Sequence, residues 1–351
     1  MKKIFFYTCF FLIILVVEIF NWLGFLCDEI FFWNYKKLTV KTPVFIVGMP
    51  RSATTFLFNT LSEDKERFTA MKLWEIIFAP SVTQKKVVVI LSKIDRRLKG
   101  LLFNPIRKFE KKLLLQFESI HHVSLTNVEE DEYILIHFLS CALLVFIFPK
   151  WKHIHSLIRF DSDLSENRKK RILKFYKKCI QKHKYVFGSD KIYLSKSPSH
   201  TSKIHSLRIM FPGCRFIYML RIPEETISSA IGMYKVYNRI FYSNAGLQLL
   251  ASQTMDFADI WYSYLEQLEN SAEGNAIILK FDDLVKNPAE SVKSIYKTFD
   301  YQMNDSFKNR LKIINDKSAF YSSRHRHSLE ENGLKQSYVR ERYSQVYEKY
   351  Y

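Results

Sequence analysis

Two short segments of this chain place arginine and hydroxyl side chains directly after apolar stretches. In the first segment, the apolar run 44–47 ends at Gly48, and a turn then leads into a predicted helix. The residues of this turn and helix start are Pro50, Arg51, Ser52, Ala53, Thr54 and Thr55. Backbone N–H groups at the start of a helix attract anions, and the arginine adds a positive charge. The segment therefore predicts a strand, an anion-binding loop and a helix, although an ordinary strand-turn-helix with a chance arginine would look the same.

The loop resembles a nucleotide-binding P-loop in which the positively charged residue comes at an earlier position. Counted from Gly48, the P-loop pattern would place glycine at position 53 and lysine at position 54. This chain has Ala53 and Thr54 there, and its cation comes earlier, at Arg51. A kinase or NTPase that holds Mg²⁺ on Thr55 and Asp282 is an alternative. The missing loop lysine disfavours it, and Asp282 and its neighbour Asp283 are interpreted as caps of the next helix.

The second segment is the predicted strand 215–220, which runs directly into Arg221 and is followed by Ser229. Pro223 suits the first turn of a helix, so Ser229 is expected on that helix. An arginine fork donates two hydrogen bonds to a phosphate, and a serine hydroxyl can add a third. The pair predicts a second anion site. The plainer alternative is an arginine paired with a surface carboxylate.

Together these motifs resemble those of the bacterial-type sulfotransferase family. In sulfotransferases, P-R-S-x-T-T after an apolar strand binds the 5′-phosphosulfate of the donor, and an arginine with a serine eight residues later binds its 3′-phosphate. The resemblance covers most of residues 28–335. Further matching segments are 68–75, 129–132, 196–200, 281–284 and 326–334. One departure is Ala53, where glycine is usual and where a Cβ would crowd a backbone of positive φ.

The resemblance implies a three-layer, P-loop-like α/β fold with a central parallel sheet flanked by helices. It also implies 3′-phosphoadenosine 5′-phosphosulfate (PAPS) as the donor, a hydroxyl or amine as the acceptor, and no metal ion. The implied donor ligands are residues 50–55, Lys196, Arg221, Ser229 and Arg326. In this scheme Arg51 and the loop N–H groups stabilise the charge that develops on the leaving phosphate oxygen.

A sulfotransferase also needs a general base that accepts the acceptor's proton. Glu75 is the first candidate, because it follows Arg51 by 24 residues, near the base position of some sulfotransferases. His121 and His122 are the second candidates, since other sulfotransferases use a histidine between the two donor motifs. A salt-bridged helix glutamate and structural histidines are the plainer interpretations.

Several other polar residues have two interpretations. Glu129 and Glu130 suit contacts to the acceptor, but helix capping explains them equally well. His200 suits a substrate contact or a helix cap. Arg324 and Arg326 suit binding of the 3′-phosphate or a solvated basic loop.

Composition narrows the class of protein. The chain has 351 residues, with 53 Lys and Arg against 35 Asp and Glu, which gives a formal charge of +18. The basic residues are spread along the chain without a zinc-finger, homeodomain or RNA-recognition pattern, so a nucleic-acid partner is not expected. Five cysteines without C-x-x-C spacing predict reduced, mostly buried thiols.

Strands that alternate with helical stretches predict a parallel sheet in one catalytic domain, residues 35–351. The apolar stretch 133–148 is predicted as one buried helix, since it is too short for a membrane span. Residues 1–34 are predicted as a hydrophobic, membrane-associated segment, because residues 4–26 are mostly apolar and carry one charge, Glu18. As a helix they would be about 34 Å long, enough for a hydrocarbon core of about 30 Å. The segment can span the membrane or lie on it.

Membrane attachment makes a lipid, a glycolipid or a cell-surface carbohydrate the first acceptor to consider. The cysteines favour a cytoplasmic catalytic domain, and a type II membrane protein with its catalytic domain in the Golgi lumen is the alternative. A third hypothesis is a non-enzymatic basic adaptor for membranes or nucleic acid. That hypothesis explains the charge and the N-terminus but neither anion-binding motif.

Overall fold

A parallel sheet forms the centre of the molecule. The computed structural model describes residues 2–114, 124–148, 151–240, 246–269, 274–318 and 328–351. In this part of the chain the strands are β1 (Val44–Gly48), β2 (Phe68–Thr69), β3 (Ile192–Lys196), β4 (Arg215–Leu220) and β5 (Ala276–Lys280). They pair in parallel in the order β2-β3-β1-β4-β5. The predicted parallel α/β fold is thereby confirmed.

Helices cover the sheet. The α-helices are α1 (Lys2–Phe31), α2 (Thr54–Ser62), α3 (Leu73–Ile77), α4 (Val82–Arg97), α5 (Phe103–Leu114), α6 (Leu144–Ile147), α7 (Lys152–Ile158), α8 (Phe160–Asp163), α9 (Glu166–Phe187), α10 (Ile204–Met210), α11 (Pro223–Ile240), α12 (Leu247–Glu269), α13 (Phe281–Lys286), α14 (Pro288–Thr298), α15 (Asp305–Ser318), α16 (Gln336–Arg342) and α17 (Ser344–Tyr350). Short 3₁₀ helices are formed by Trp33–Lys37, Asp131–Phe138, Pro198–Lys203 and Glu330–Asn332.

The central strand β1 is buried along its whole length. Its continuous apolar sequence suits a parallel strand that is covered on both faces. Because successive side chains of a strand point to opposite faces, Phe45 and Val47 join one core cluster, while Val44 and Ile46 join the other. β3 and β4 lie on opposite sides of β1, so the carboxyl ends of these strands border the crevice where α/β sheets bind ligands.

The prediction of one helix over 133–148 is wrong. The 3₁₀ helix over Asp131–Phe138 ends at Leu139, which has a positive φ of 48° and stops the helical path. The buried Glu132 carboxylate then accepts a hydrogen bond from the Ala142 N–H (3.0 Å). A side chain thus satisfies a backbone donor that a continuous helix would satisfy internally.

The predicted cap before Pro288 is also misplaced. Asp282 and Asp283 lie in the first turn of α13, a separate short helix. The Asn287 side chain caps α14 instead, since it accepts a hydrogen bond from the Glu290 N–H (3.2 Å). Asparagine is among the best N-cap residues, and a proline follows it at the first helical position.

Polar residues attach α1 to the rest of the protein. Glu18 is hydrogen-bonded to His137 Nδ1 (2.6 Å), and Asn21 donates to the Ile77 carbonyl (3.0 Å). The buried Asp28 carboxylate accepts from the Val82 N–H (2.8 Å) and from Lys182 Nζ (2.7 Å). Asp28 therefore caps the first turn of α4 from a different helix. α1 ends at Phe31, and the boundary at residue 34 remains a prediction.

Candidate active site

The carboxyl end of β1 leaves no room for a side chain at Gly48. Its φ is 120°, and an added Cβ would lie 2.5 Å from the Met219 carbonyl oxygen on β4. The Gly48 N–H donates to Thr201 Oγ1 (2.9 Å), which ties the strand end to the segment after β3. Glycine is therefore required where the predicted anion-binding loop begins.

The loop that follows has two non-glycine residues in the left-handed region. Arg51 has a φ of 70° and Ala53 a φ of 63°. Between them, Ser52 is fully buried and donates to the Met49 carbonyl (2.6 Å). Ala53 is the N-cap residue of α2 and has no side-chain oxygen for the first N–H groups of the helix. Such backbone strain is commonly stored at functional sites, and the N–H groups at the helix start suit an anion.

Ala53→Gly should stabilise the protein by about 1 kcal/mol, because an L-residue in the left-handed region costs roughly 1–2 kcal/mol and glycine does not. Denaturant unfolding at fixed temperature measures the change. Ala258→Gly, in the middle of α12, is the matched control and should destabilise by about 1 kcal/mol. A destabilised Ala53→Gly protein would contradict the role of positive φ at this position.

The structure brings the two predicted anion motifs together. Arg51 Nε donates to Ser229 Oγ on α11 (3.1 Å), across 178 residues of sequence. Arg221 Nη1, at the end of β4, donates to the backbone carbonyl of Arg51 (2.9 Å). Arg221 also pairs with Glu225 (2.8 Å) and lies 4.0 Å from the ring centre of Phe281. The two arginines and the serine thus form one cationic and hydroxyl-bearing site at adjacent strand ends.

A third strand end contributes a lysine and two carboxylates. Lys196, the last residue of β3, is buried, and its Nζ donates to Glu130 Oε1 (2.7 Å) and lies 3.8 Å from Glu129. Burial and the Glu130 and Glu129 carboxylates raise the pKa of the Tyr237 hydroxyl on α11, whereas Arg51 lowers it.

The acidic run 129–132 is clamped to the segment that follows β3. The Asp131 carboxylate accepts from Ser195 Oγ (2.8 Å) and lies 3.4 Å from His200 Nε2, and Glu132 pairs with Lys203 (3.0 Å). All of these side chains are buried. Burial raises the pKa of Asp131, but its partners, His200 foremost, outweigh burial and hold it below its usual value. His200 is therefore a buried partner of Asp131, and the clamp holds Glu129 and Glu130 at the strand ends.

Glu75 lies in a separate buried network. Its carboxylate accepts from the Lys72 N–H (3.1 Å) and is hydrogen-bonded to His183 Nδ1 (2.7 Å), whose other ring nitrogen contacts Thr69 Oγ1 (2.7 Å). Burial raises the pKa of Glu75, but the interaction with His183 outweighs burial and leaves the pKa below its usual value. Thr69 pairs with Tyr193, three residues before the end of β3, so this network lies deeper along the sheet than Lys196.

Four predicted residues cannot be placed. His121, His122, Arg324 and Arg326 lie outside the described residues. Two residues of the site were missed from sequence. Tyr237 follows Ser229 by eight residues, about two helical turns, and this spacing could have placed it on the same face of α11. Thr201 carries no comparable signal, because its contact with Gly48 joins segments 153 residues apart.

The parallel sheet, with one motif after β1 and the other after β4, defines the class of protein. A model of the sulfotransferase family matches residues 43–305, and the chain belongs to that family.

Two curated relatives and two of the similar solved structures come from mycobacteria. The omega-hydroxy-beta-dihydromenaquinone-9 sulfotransferase Stf3 of Mycobacterium tuberculosis, like that of Mycobacterium bovis, is 25% identical over 268 residues. The aligned region is 73% of this chain and 62% of each relative, so the chain spans less than two thirds of their length. Sulfotransferase STF9 from Mycobacterium avium superposes with a TM-score of 0.72 at 15% identity, covering 93% of this chain and 81% of STF9. STF1 from M. tuberculosis H37Rv gives 0.64 at 18%, covering 90% and 79%. These structures support the fold.

Proposed function

We propose that the protein transfers a sulfuryl group from PAPS to a hydroxyl group of a membrane lipid. The observation that carries this proposal is the contact between Arg51 and Ser229, together with that between Arg221 and the Arg51 carbonyl. PAPS carries its 5′-phosphosulfate and 3′-phosphate on one ribose. Its two anion sites must therefore be neighbours, and these contacts join the two motifs in that way.

Each motif has a defined task in this proposal. The loop 50–55 and the start of α2 bind the 5′-phosphosulfate through backbone N–H groups and Arg51. Arg221 and Ser229 bind the 3′-phosphate through charge-assisted hydrogen bonds. Arg326 is proposed as a further 3′-phosphate ligand. The Arg221 guanidinium pairs with the Glu225 carboxylate in this structure. Phosphate binding therefore replaces one anionic partner of the guanidinium by another.

The reaction breaks the S–O bond to the 5′-phosphate and forms an S–O bond to the acceptor. Negative charge then develops on the oxygen that leaves with adenosine 3′,5′-bisphosphate. Arg51 and the loop N–H groups stabilise that charge because they are already oriented. Lys196 is proposed to bind the moving sulfuryl group or the donor phosphates. Arginine and lysine supply the positive charge in this scheme, so it requires no metal ion.

Two described carboxylates compete for the role of general base. Glu75 is the candidate from sequence, and its contacts are with His183 and Lys72. Glu130 is hydrogen-bonded to Lys196 at the carboxyl end of β3, and β3 pairs with β1, the strand that leads into the Arg51 loop. Because a base must reach the hydroxyl that attacks the sulfur, we favour Glu130. His122 remains a third candidate.

Glu130→Gln should lower kcat by about 10²–10⁴-fold, the usual contribution of a general base. Glu75→Gln should reduce stability more than kcat, because it leaves the buried His183 with a weaker partner. Release of adenosine 3′,5′-bisphosphate measures turnover, and Glu290→Gln on the exposed face of α14 is the control. Loss of the acidic limb of the kcat/KM profile in Glu75→Gln, with a normal profile in Glu130→Gln, would assign the base to Glu75.

Aromatic side chains beside the site support an apolar acceptor. Phe146 stacks on Tyr237 with ring centres 4.8 Å apart and contacts Tyr234 at 4.7 Å. An isoprenoid or acyl chain buries well against such rings. The relative Stf3 is named for an omega-hydroxylated menaquinone derivative, which is a lipid with a hydroxyl group. A cytoplasmic catalytic domain is part of the proposal, with a Golgi-lumen orientation as the alternative, and glycolipids or carbohydrates remain alternative acceptors.

The proposed acceptor class is tested by comparing lipid extracts from host cells with and without active protein. Mass spectrometry should find a lipid that has gained the mass of SO₃ only where the active protein is expressed. Arg51→Ala serves as the inactive control at matched expression. A gain of SO₃ confined to water-soluble glycans would contradict a lipid acceptor while leaving the sulfotransferase reaction intact.

A further inference from the structure

A large apolar surface covers α1, α4 and α5. Of the 30 large apolar side chains that are exposed in the described part of the chain, 18 lie on α1, α4 and α5. They include Phe20, which is 63% exposed, Ile90 at 57% and Phe109 at 66%. Contiguous apolar patches of more than a few hundred Å² are rare on soluble monomers and mark interaction sites. This surface therefore requires a partner.

Two opposite sides of α1 differ in character. One side carries Glu18, Asn21 and Asp28, whose side chains are hydrogen-bonded to the catalytic domain. These residues span about 15 Å of helix at a rise of about 1.5 Å per residue. The other side is apolar, and the segment Phe11–Phe31 has a mean hydropathy of 2.0 and is mostly exposed. The side with the polar residues thus rests on protein, while the outer side faces away.

This docking disfavours an independent membrane span. A helix that crossed the bilayer alone would carry two carboxylates and an amide into hydrocarbon, where each unsatisfied polar group costs several kcal/mol. Their partners are His137, the Ile77 carbonyl and the Val82–Thr83 backbone, all in the catalytic domain. These bonds persist only while α1 remains against the domain.

The helix packed against α1 and the helix that follows it, α4 and α5, carry a strongly basic sequence. Residues 82–114 contain ten Lys or Arg against two acidic residues. Lys93 and Arg97 are exposed on α4 beside the exposed Ile90 and Ile94. α4 and α5 are joined tightly, because the buried Asp95 carboxylate accepts from the Leu102 N–H (2.7 Å). Apolar side chains flanked by Lys and Arg suit a bilayer with anionic headgroups.

We propose that α1, α4 and α5 form a membrane-binding surface that inserts into one leaflet of a bilayer containing anionic lipids. The catalytic domain then remains entirely on one side of the membrane. A second copy of the chain would cover the same apolar side chains, but it would place basic helices against each other and is disfavoured by their repulsion. This inference concerns attachment and does not depend on the reaction or its acceptor.

Vesicle binding tests the surface. Full-length protein, diluted from detergent, is added to preformed phosphatidylcholine vesicles with and without phosphatidylglycerol, and bound protein is measured by flotation. Binding should be stronger with phosphatidylglycerol and should weaken with salt. Lys93→Glu combined with Arg97→Glu should weaken it about 30-fold, at roughly tenfold for each 1.4 kcal/mol. Lys312→Glu with Lys317→Glu, on exposed positions of α15, is the matched control and should bind normally.

The apolar part is tested in the same assay. Ile90→Glu with Ile94→Glu should weaken binding to both kinds of vesicle, whereas Ile313→Glu, an isoleucine 47% exposed on α15, should not. Since these positions are exposed, unchanged thermal melting confirms that each variant is folded. Equal binding by all variants would overturn the proposal. A stable dimer that buries these residues and does not bind vesicles would also overturn it.

Topology separates insertion into one leaflet from a span. An N-terminal tag with a protease site is added, and protease is applied outside intact vesicles carrying bound protein. One-sided insertion leaves the tag outside, so cleavage should be complete without detergent. A tag that is protected until detergent is added would show that α1 crosses the bilayer and would overturn the proposal.

Discussion

Replacing Arg221 by alanine is expected to weaken the binding of adenosine 3′,5′-bisphosphate about 100-fold. Arg221 lies at the carboxyl end of β4, where its Nη1 donates to the Arg51 carbonyl and its remaining N–H groups face Glu225. In the proposed complex it makes charge-assisted hydrogen bonds to the 3′-phosphate. A hydrogen bond to a charged group is worth about 1.5–3 kcal/mol, and each 1.4 kcal/mol is tenfold in affinity. Isothermal titration calorimetry measures the change.

The same strand offers a matched control for this variant. Arg215 begins β4 at the opposite edge of the sheet, where its guanidinium donates to the Phe299 carbonyl (2.6 Å). Arg215→Ala should retain nucleotide affinity even if it melts earlier. Glu225→Gln should raise affinity a few-fold, because it removes a carboxylate that competes with phosphate for Arg221. Equal affinity in wild type and Arg221→Ala would contradict the assignment of the 3′-phosphate site.

Arg51→Ala is expected to lower kcat by about 10³-fold with a smaller loss of nucleotide affinity. Removing one preorganised donor from a developing anion costs about 10²–10³ in rate, and an arginine that neutralises transferring phosphoryl groups is worth about 10³–10⁵. The backbone N–H groups of the loop remain, so ground-state binding falls less than turnover. Arg51 also donates to Ser229, which links the two anion sites.

Single-turnover rates with PAPS separate the chemical step from binding in this variant. Arg51→Lys should recover part of the rate, because it keeps the charge but lacks the planar fork. Lys196→Ala provides a comparison at a neighbouring strand end and should also reduce turnover. It removes the partner of Glu130, so the variant is informative only where the fold is retained. A kcat that is unchanged in Arg51→Ala would remove this residue from the mechanism.

Sequence alone was sufficient for the parts of the fold whose determinants are local. A buried apolar strand, a turn and a helix start are encoded within residues 44–60, and the second motif lies within 215–229. Both strands and the starts of both following helices lie within a residue or two of their predicted positions. The sequence also raised the concern about Ala53, and the structure gives this residue a φ of 63°. These predictions succeeded because they depend on residues that are close together in the sequence.

Pairings between distant segments could not be predicted in the same way. The partner of Glu75 is His183, 108 residues away, and spacing from Arg51 gave no hint of it. The sequence leaves acceptor contacts and helix capping open for Glu129 and Glu130, and it does not predict that tertiary packing pairs the run 129–132 with Lys196, His200 and Lys203. The expected helix over 133–148 is interrupted at Leu139, which has a positive φ, and Glu132 accepts a hydrogen bond from the Ala142 N–H. Buried ion pairs depend on the whole fold, which no local pattern contains.

Glu18 shows how the same limit applies to the N-terminal segment. In the sequence it is a single charge in an apolar stretch and counts against a membrane span. In the structure it is hydrogen-bonded to His137 and helps to attach α1 to the catalytic domain. One side of this apolar helix therefore packs on the rest of the protein, and the other side is exposed. Only the three-dimensional structure distinguishes the two sides.

Sulfuryl transfer from PAPS through the site formed by Arg51, Arg221 and Ser229 can be measured directly. The full-length protein is incubated with ³⁵S-labelled PAPS and a total lipid extract in the presence of EDTA. Label should appear in the lipid fraction and adenosine 3′,5′-bisphosphate should form, and both should be lost with Arg51→Ala. Activity that requires Mg²⁺ and a nucleoside triphosphate, with no transfer of label from PAPS, would contradict it.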